Sequence, residues 1–397
     1  MAGIYRLQGT VKHYDWGGFS FIPSLLQTQN NENRPFAEYW MGIHPLGHAL
    51  VDTGNNQLKA LKEITGDLPY LFKVLDVKDM LSIQVHPSKA TAEKEFAIEN
   101  AAGIPLDSPQ RNYKDDNHKP ELIVALSEFW LLHGFKPPEE MVYTLLNVVE
   151  LRELLPVFNE SGYGGLYKKV MEMPQEEVNR ILKPLIDNIT IVYKDNEPDK
   201  NDEDFWALRA AQTFSRGDAI DRGIFSVYLF NLIRLKKGEG IFQPAGMPHA
   251  YLEGQNVEIM ANSDNVLRGG LTTKHIDVTE LLKNIQCEPV IPAIIQAEEI
   301  SKYEKLYKTP APDPVAIGFQ LSVFELRKDE INSFTTAGTE ILLLTDGFAE
   351  LSSGETNLEL RPGSPSAVIL PGNTVTIRAR GNATVFRASV PVPAGNK

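Results

Sequence analysis

Two histidines, a glutamine and a glutamate stand in this chain where they can serve a divalent cation. In Ser82-Ile83-Gln84-Val85-His86-Pro87, an extended backbone sends Ser82, Gln84 and His86 to one face and Ile83 and Val85 to the other. Pro87 has no ladder donor, so the strand is expected to stop just past His86 and leave the imidazole near a rim. Glu121 opens Leu122-Ile123-Val124-Ala125-Leu126, a run with the pattern of a buried strand, which makes its carboxylate a candidate third ligand. A turn punctuated by glycine and proline, residues 238–248, delivers His249 to the start of another strand. One amide oxygen, one carboxylate and two imidazoles form a donor set compatible with zinc. A single strand histidine is more often a hydrogen-bonded structural residue, and a single glutamine nearly always is. The coincidence of all four carries the metal reading.

A dication with one carboxylate leaves a site formally positive, which suits an anionic substrate. Lys119 precedes Glu121 by two residues and points to the same side of an extended chain. Beside a cation its ammonium loses affinity for the proton, which makes a general base conceivable; a surface ion pair is the plain alternative. Arg268 follows the polar Asn262-Ser263-Asp264-Asn265 and precedes Gly269-Gly270, which allow close backbone approach. Its permanent charge suits an oxyanion or a phosphate, against the plain reading of a salt bridge. Ser88 and Lys89 directly follow the metal strand and are candidates to bind an anionic group at the rim, with solvated loop as the plain reading. Tyr14, Trp16, Trp40 and Trp130 are expected to pack in the core rather than stack on a sugar. No glycine cluster has nucleotide-binding spacing.

The elements that position these residues read as mainly β, with a helical interruption. Leu71-Phe72-Lys73-Val74-Leu75-Asp76-Val77 reads as a strand, and residues 91–100 as a short helix. After Lys136-Pro137-Pro138, Met141, Leu145, Val148, Leu151 and Leu155 recur at helical spacing, as do Val178, Ile181, Leu182 and Leu185, with Pro184 expected to kink or end the second helix. The acidic residues 194–204 read as a loop whose last carboxylates suit the start of a helix over 205–211. Strand pattern returns at Tyr228 and continues past His249, with a short helix near Leu281. From about Pro312 the tail is β-rich, with an Asp346-Gly347 hairpin signal and a strand, turn and strand pattern around Pro371-Gly372. The expected organisation is a discontinuous catalytic β-domain, residues 1–137 and 218–311, a helical insertion over 138–217, and a C-terminal β-domain over 312–397. All 8 histidines precede the tail, so it is expected to carry no metal.

A length of 397 residues suits two or three domains. The formal charge of −13 disfavours nucleic acid, although a few cations in a cleft still attract a small anion. One cysteine, Cys287, allows no internal disulfide. With no signal-peptide pattern and no apolar run long enough for a membrane span, a cytoplasmic protein without membrane contact is expected.

The turn that delivers His249 resembles the second motif of the cupin β-barrels, with Gln84-x-His86 and a later Glu in place of the usual His-x-His and Glu. Tyr113-Lys114-Asp115-Asp116-Asn117-His118-Lys119-Pro120-Glu121 fits the signature of the type I mannose-6-phosphate isomerases at each specified position. Residues 264–272 are similar to that family's arginine segment, and Tyr14-Asp15-Trp16-Gly17-Gly18 and Ala37-Glu38-Tyr39-Trp40-Met41-Gly42 extend the resemblance over most of the chain. It implies a cupin or jelly-roll β-barrel catalytic domain, one zinc ion on Gln84, His86, Glu121 and His249, and a monomer. The implied reaction interconverts mannose 6-phosphate and fructose 6-phosphate through an enediol or enediolate. Also implied are active-site roles for Arg268, proton transfer by Lys119 or Asp264, and ring opening by His118; a local turn cap is the plain reading of Asp264. Two alternatives remain at this point: a metal-containing, sugar-phosphate-binding cupin without catalysis, and an iron cupin dioxygenase.

Overall fold

The computed structural model describes residues 3–54, 57–194, 198–310 and 317–391. Its longest strand, His249–Ala261, joins most of the central β-domain. The first part pairs with Phe129–Phe135, and the second with Tyr70–Val77 and Glu121–Ala125. The change falls at Gly254, whose φ is 122°. A Cβ there would lie 2.4 Å from the Glu128 carbonyl oxygen, so only glycine permits both the bend and the approach. Short strands Gln84–Val85 and Leu267–Arg268 close the region around the start of this strand. Ile83 and Val85 are fully buried and pack against the helical insertion, as the alternation of the sequence predicts.

The insertion is helical, but its joints differ from expectation in two places. The stripe from Met141 to Leu155 is not one helix: Pro138–Asn147 ends at Val148, whose ψ of 103° is extended, and a 3-10 segment Val149–Leu154 leads into Leu155–Glu172. Pro156, whose missing N–H costs nothing in a first turn, marks the new start. Met141, Leu145 and Leu151 still share one core. Conversely, Gln175–Val192 runs through Pro184. Pro184 is exposed, so water can satisfy the carbonyl it orphans, while the buried stripe Val178, Ile181, Leu182, Leu185 and Ile189 holds both halves down. Helix Glu203–Phe214 begins on the Asp202 cap with Glu203 and Asp204 in its first turn, as expected. Residues 195–197 of the acidic stretch lie outside the described residues. Tyr228 and Leu229, expected in a strand, end the helix Gly223–Leu229; all seven of its residues are buried, so no polar face reveals its period.

In the C-terminal region the Asp346-Gly347 turn is not a hairpin. Glu340–Asp346 pairs with Ser366–Ile369 and Ala383–Ser389, whereas Ala349–Ser353 pairs with Thr356–Leu360 and Thr374–Ala379 in a separate four-stranded sheet. The turn is a corner between two packed sheets, and Pro371-Gly372 is another, because Ser366–Ile369 and Thr374–Ala379 also lie in different sheets. Leu342, Leu344, Leu351, Val375 and Ile377 fill the space between them. Ile4–Gln8, Leu50–Asp52 and Leu58–Ala60 join the larger of these sheets, as do Glu298–Glu299 and Glu304–Tyr307. One sheet thus draws strands from both expected β-domains, and Pro312 itself lies outside the described residues. The two β-regions share a core of Phe72, Val257, Ile259, Leu321, Val323 and Val368.

Candidate metal centre

The strand register gathers the predicted residues before any side-chain contact is considered. Arg268 lies opposite Gln84, Gln84 opposite His249, and His249 opposite His133. Directly paired residues share a face, so these four form one row across four strands. Glu121 enters from the neighbouring strand opposite Gln243.

His86, Glu121 and His249 converge, with their nearest donor atoms within 4.8 Å of one another. All three are almost wholly buried. His86 Nε2 is 3.2 Å from Glu121 Oε1, and His249 Nε2 is 3.4 Å from Glu121 Oε2. The opposite nitrogens, His86 Nδ1 and His249 Nδ1, lie 2.8 Å from the Asn265 carbonyl and 2.9 Å from the Met247 carbonyl. A carbonyl only accepts, so each Nδ1 carries the proton and each Nε2 turns a lone pair toward the carboxylate. Although close to Glu121, His86 Nε2 lacks hydrogen-bond alignment and is a buried, unpartnered atom. Two lone pairs and an anion facing one another are complementary to a cation. Burial, reinforced by Lys119, lowers the His86 imidazole to about 4, against the pull of Glu121. Burial would raise the Glu121 carboxyl, but the Lys119 ammonium leads the contacts that hold it well below its ordinary value. These are the protonation states a metal needs.

The other predicted residues separate into near and far. Lys119 Nζ is 2.8 Å from Glu121 Oε1. Asp264 Oδ2 accepts from His44 Nε2 at 3.1 Å; burial would raise its carboxyl, but His44, Lys119 and Lys73 outweigh this and lower it. Arg268 is partly buried, which lowers its affinity for the proton, and among the described residues no carboxylate stands within ion-pair distance. Gly270, at φ 124°, lets this segment touch Gly223. His118 lies outside the ligand cluster and, with His133, lines an apolar cavity of about 370 Å³ beside it, together with Phe242, Met247 and Val290. Ser88 caps the helix Lys89–Ala101 by accepting from Thr91 N, and Lys89 Nζ donates to the Asp116 carbonyl at 2.8 Å. Trp40 and Trp130 are buried, whereas Tyr14 is 39% exposed and stacks on Trp16 at 5.8 Å.

The description phosphomannose isomerase type I, catalytic domain, matches residues 4–138. A mannose-6-phosphate isomerase of Salmonella typhimurium is 35% identical over 92% of this chain and 94% of that protein, and one of Shigella flexneri is 33% identical over 95% and 98%. The chain belongs to the mannose-6-phosphate isomerase family. A solved mannose 6-phosphate isomerase from Salmonella typhimurium, bound to substrate and to zinc, matches with a TM-score of 0.84 and 32% identity, covering 98% of this chain and all of that one.

Within this family member, several residues of the centre escaped the sequence reading. Tyr251 Oη lies 3.1 Å from Glu121 Oε2 and 3.0 Å from Glu258 Oε2, and Lys73 Nζ donates to Glu258 Oε1 at 3.0 Å. Burial, with Glu121 and Glu258, pushes the Tyr251 phenol well above its ordinary value, so it remains a donor. Lys73 and Glu258 were signalled by being charges inside apolar strand runs, which must find partners. Asn265 is fully buried; its amide donates to the Asp115 and Asn117 carbonyls and accepts from Lys114 N, tying the 113–117 loop to the residue that orients His86. Lys274 is depressed by burial and by Arg268 nearby, a second cation that sequence spacing alone did not single out.

Proposed function

We propose that this chain is a zinc-dependent aldose-ketose isomerase that interconverts mannose 6-phosphate and fructose 6-phosphate. The observation that carries the reading is the convergence of two imidazole lone pairs on the buried Glu121 carboxylate. His86, Glu121 and His249 would hold the ion, with Gln84, next to His249 in the strand register, as the fourth donor. When bound, zinc supplies a Lewis acid that favours charge on the substrate's C1 and C2 oxygens without redox chemistry.

The chain's own residues supply the rest. Lys119 and Asp264 are the candidates to move the proton between C1 and C2, the first beside Glu121 and the second kept ionised by His44. Arg268 and Lys274 are cations near each other, with no carboxylate in ion-pair range of Arg268 among the described residues, which leaves them available to an anionic oxygen of the enediolate or the phosphate. His118 would assist ring opening from the rim of the neighbouring cavity, and Ser88 and Lys89 would meet the phosphate at the start of their helix. The proposed enzyme acts as a cytoplasmic monomer on a small hexose phosphate. Among the described residues no helix is long and apolar enough to cross a membrane.

The deciding experiment is formation of fructose 6-phosphate from mannose 6-phosphate, in a coupled assay, with untreated, chelated and zinc-restored protein. Activity that vanishes on chelation and returns with zinc is expected. Folded, zinc-replete protein that forms no product would refute the proposal and favour a binding protein.

A further inference from the structure

We infer that Tyr251 and Glu258 are positioning residues for the metal ligand Glu121, fixing the orientation of its carboxylate against the pull of Lys119; the inference rests on the metal-centre reading above. Glu121 has two oxygens and four neighbours. On Oε1 stand Lys119 Nζ at 2.8 Å and His86 Nε2 at 3.2 Å; on Oε2 stand Tyr251 Oη at 3.1 Å and His249 Nε2 at 3.4 Å. Lys119 is the one full cation among them, and an ammonium competes with a metal for the same carboxylate. Without a counterweight, rotation of the carboxylate would offer both oxygens to Lys119. The Tyr251 hydroxyl is that counterweight, because it is the only hydroxyl bonded to Oε2 among the described residues.

A counterweight must itself be anchored. The Tyr251 hydroxyl also reaches Glu258 Oε2 at 3.0 Å, and Glu258 Oε1 is held by Lys73 Nζ at 3.0 Å. Glu258 and Lys73 are directly paired across the strands His249–Ala261 and Tyr70–Val77, so this end is fixed by the sheet ladder. Tyr251, Glu258 and Lys73 are each at most 6% exposed. A phenol has a single proton for two acceptors, so the hydroxyl keeps the two carboxylates at fixed separation while bonding to one at a time. Phe129 packs on the same ring edge-on, with centroids 5.5 Å apart, and makes no polar contact with it. The apolar and polar supports of Tyr251 can therefore be removed separately.

The test is the dissociation constant for zinc, measured by competition with a chromophoric chelator, in Tyr251→Phe, Glu258→Gln, Phe129→Leu and Glu121→Gln, with the melting temperature of each zinc-free protein. Tyr251→Phe is expected to weaken zinc binding about 10- to 100-fold, the usual cost of losing a hydrogen-bond partner of a ligand. Glu258→Gln should weaken it less, and excess zinc should restore turnover to both. Phe129→Leu should lower the zinc-free melting temperature and leave the dissociation constant unchanged. A Tyr251→Phe protein that binds zinc within twofold of the unaltered chain, while Glu121→Gln loses it, overturns the positioning role. Zinc retained by Glu121→Gln overturns the metal-centre reading and the inference with it. Tight, Tyr251-dependent zinc binding by a chain with no isomerase turnover would sink the proposed reaction and uphold this inference.

Discussion

The central and C-terminal β-regions each bury a cluster of charges, and the two clusters are built to opposite ends. In the C-terminal sheet Arg387 forks onto Glu340 at 2.6 and 2.8 Å, reaches Glu304 at 2.9 Å, and Ser322 donates to Glu304 at 2.6 Å. Donors and acceptors there answer one another. Around Glu121 the charges are as deeply buried, yet His86 Nε2 has no partner and both histidine lone pairs face an anion. Burial of charge therefore does not distinguish a working site from a structural one. The arrangement of donors does: every carboxylate of the closed cluster meets a donor, whereas the open one turns imidazole lone pairs toward a carboxylate, a set suited to a divalent cation.

Replacing Glu121 by Gln should test the open cluster most severely. Loss of the only carboxylate that the described residues bring to the His86–Glu121–His249 cluster should reduce turnover by about a thousandfold or more, read in the coupled assay, while the protein remains folded by circular dichroism. The mirror experiment is Arg387→Ala, which strands two buried carboxylates and should cost about 3–5 kcal/mol in denaturant unfolding. Zinc affinity in that variant should match the unaltered chain; a loss of affinity would break the separation of the two clusters. Arg268→Ala should lower kcat by roughly 100- to 1000-fold, with stability unchanged or raised, because it removes a desolvated cation that has no carboxylate partner among the described residues. A wild-type kcat would remove Arg268 from the chemistry.

Zinc at a hundredfold excess over its dissociation constant should stabilise the fold by about 2.7 kcal/mol, and chelation should reverse the gain in a thermal melt. The smallest effect concerns a third group, Glu253, which pins the insertion through Lys200 and Arg209. Burial would raise its carboxyl, but the two cations lower it overall. Its contribution is thus present above the unfolded carboxylate value of about 4.3 and fades as pH falls through the lower folded value. Glu253→Gln should cost about 0.5 kcal/mol at pH 7, since the pair is partly exposed. The difference should begin to shrink below about pH 4.3 and disappear only in melts run below the depressed folded value.

How far the sequence could be read depended on whether the decisive signal was local. The metal strand was legible because side-chain alternation and Pro87 act within six residues: Ile83 and Val85 do face the insertion core while His86 is buried among the candidate ligands. The Asp346-Gly347 corner was misread because a left-handed glycine, φ 83°, serves a hairpin and a sheet-to-sheet corner equally. Only the remote partners Ser366–Ile369 and Thr374–Ala379 distinguish them. Ser88, read as a candidate to bind an anionic group at the rim, also caps the helix Lys89–Ala101 by accepting from Thr91 N, a local role that the sequence reading did not single out. The support behind Glu121 was partly visible as charges in apolar runs, but which charge meets which depends on register across strands distant in sequence.

The strand Ile4–Gln8 lies between Leu50–Asp52 and Ser366–Ile369 in the larger C-terminal sheet. Early in synthesis it has one neighbour and lacks the other. At ribosomal rates of about 5–20 residues per second, the edge that Ser366–Ile369 will cover stays open for roughly 20–70 s. During that interval Ile4 and Leu7, buried in the finished fold, lie on a strand paired along one edge only. The topology thus makes this edge a place where the growing chain needs shielding until its distant partner emerges, and crowding by other nascent copies is the hazard it carries.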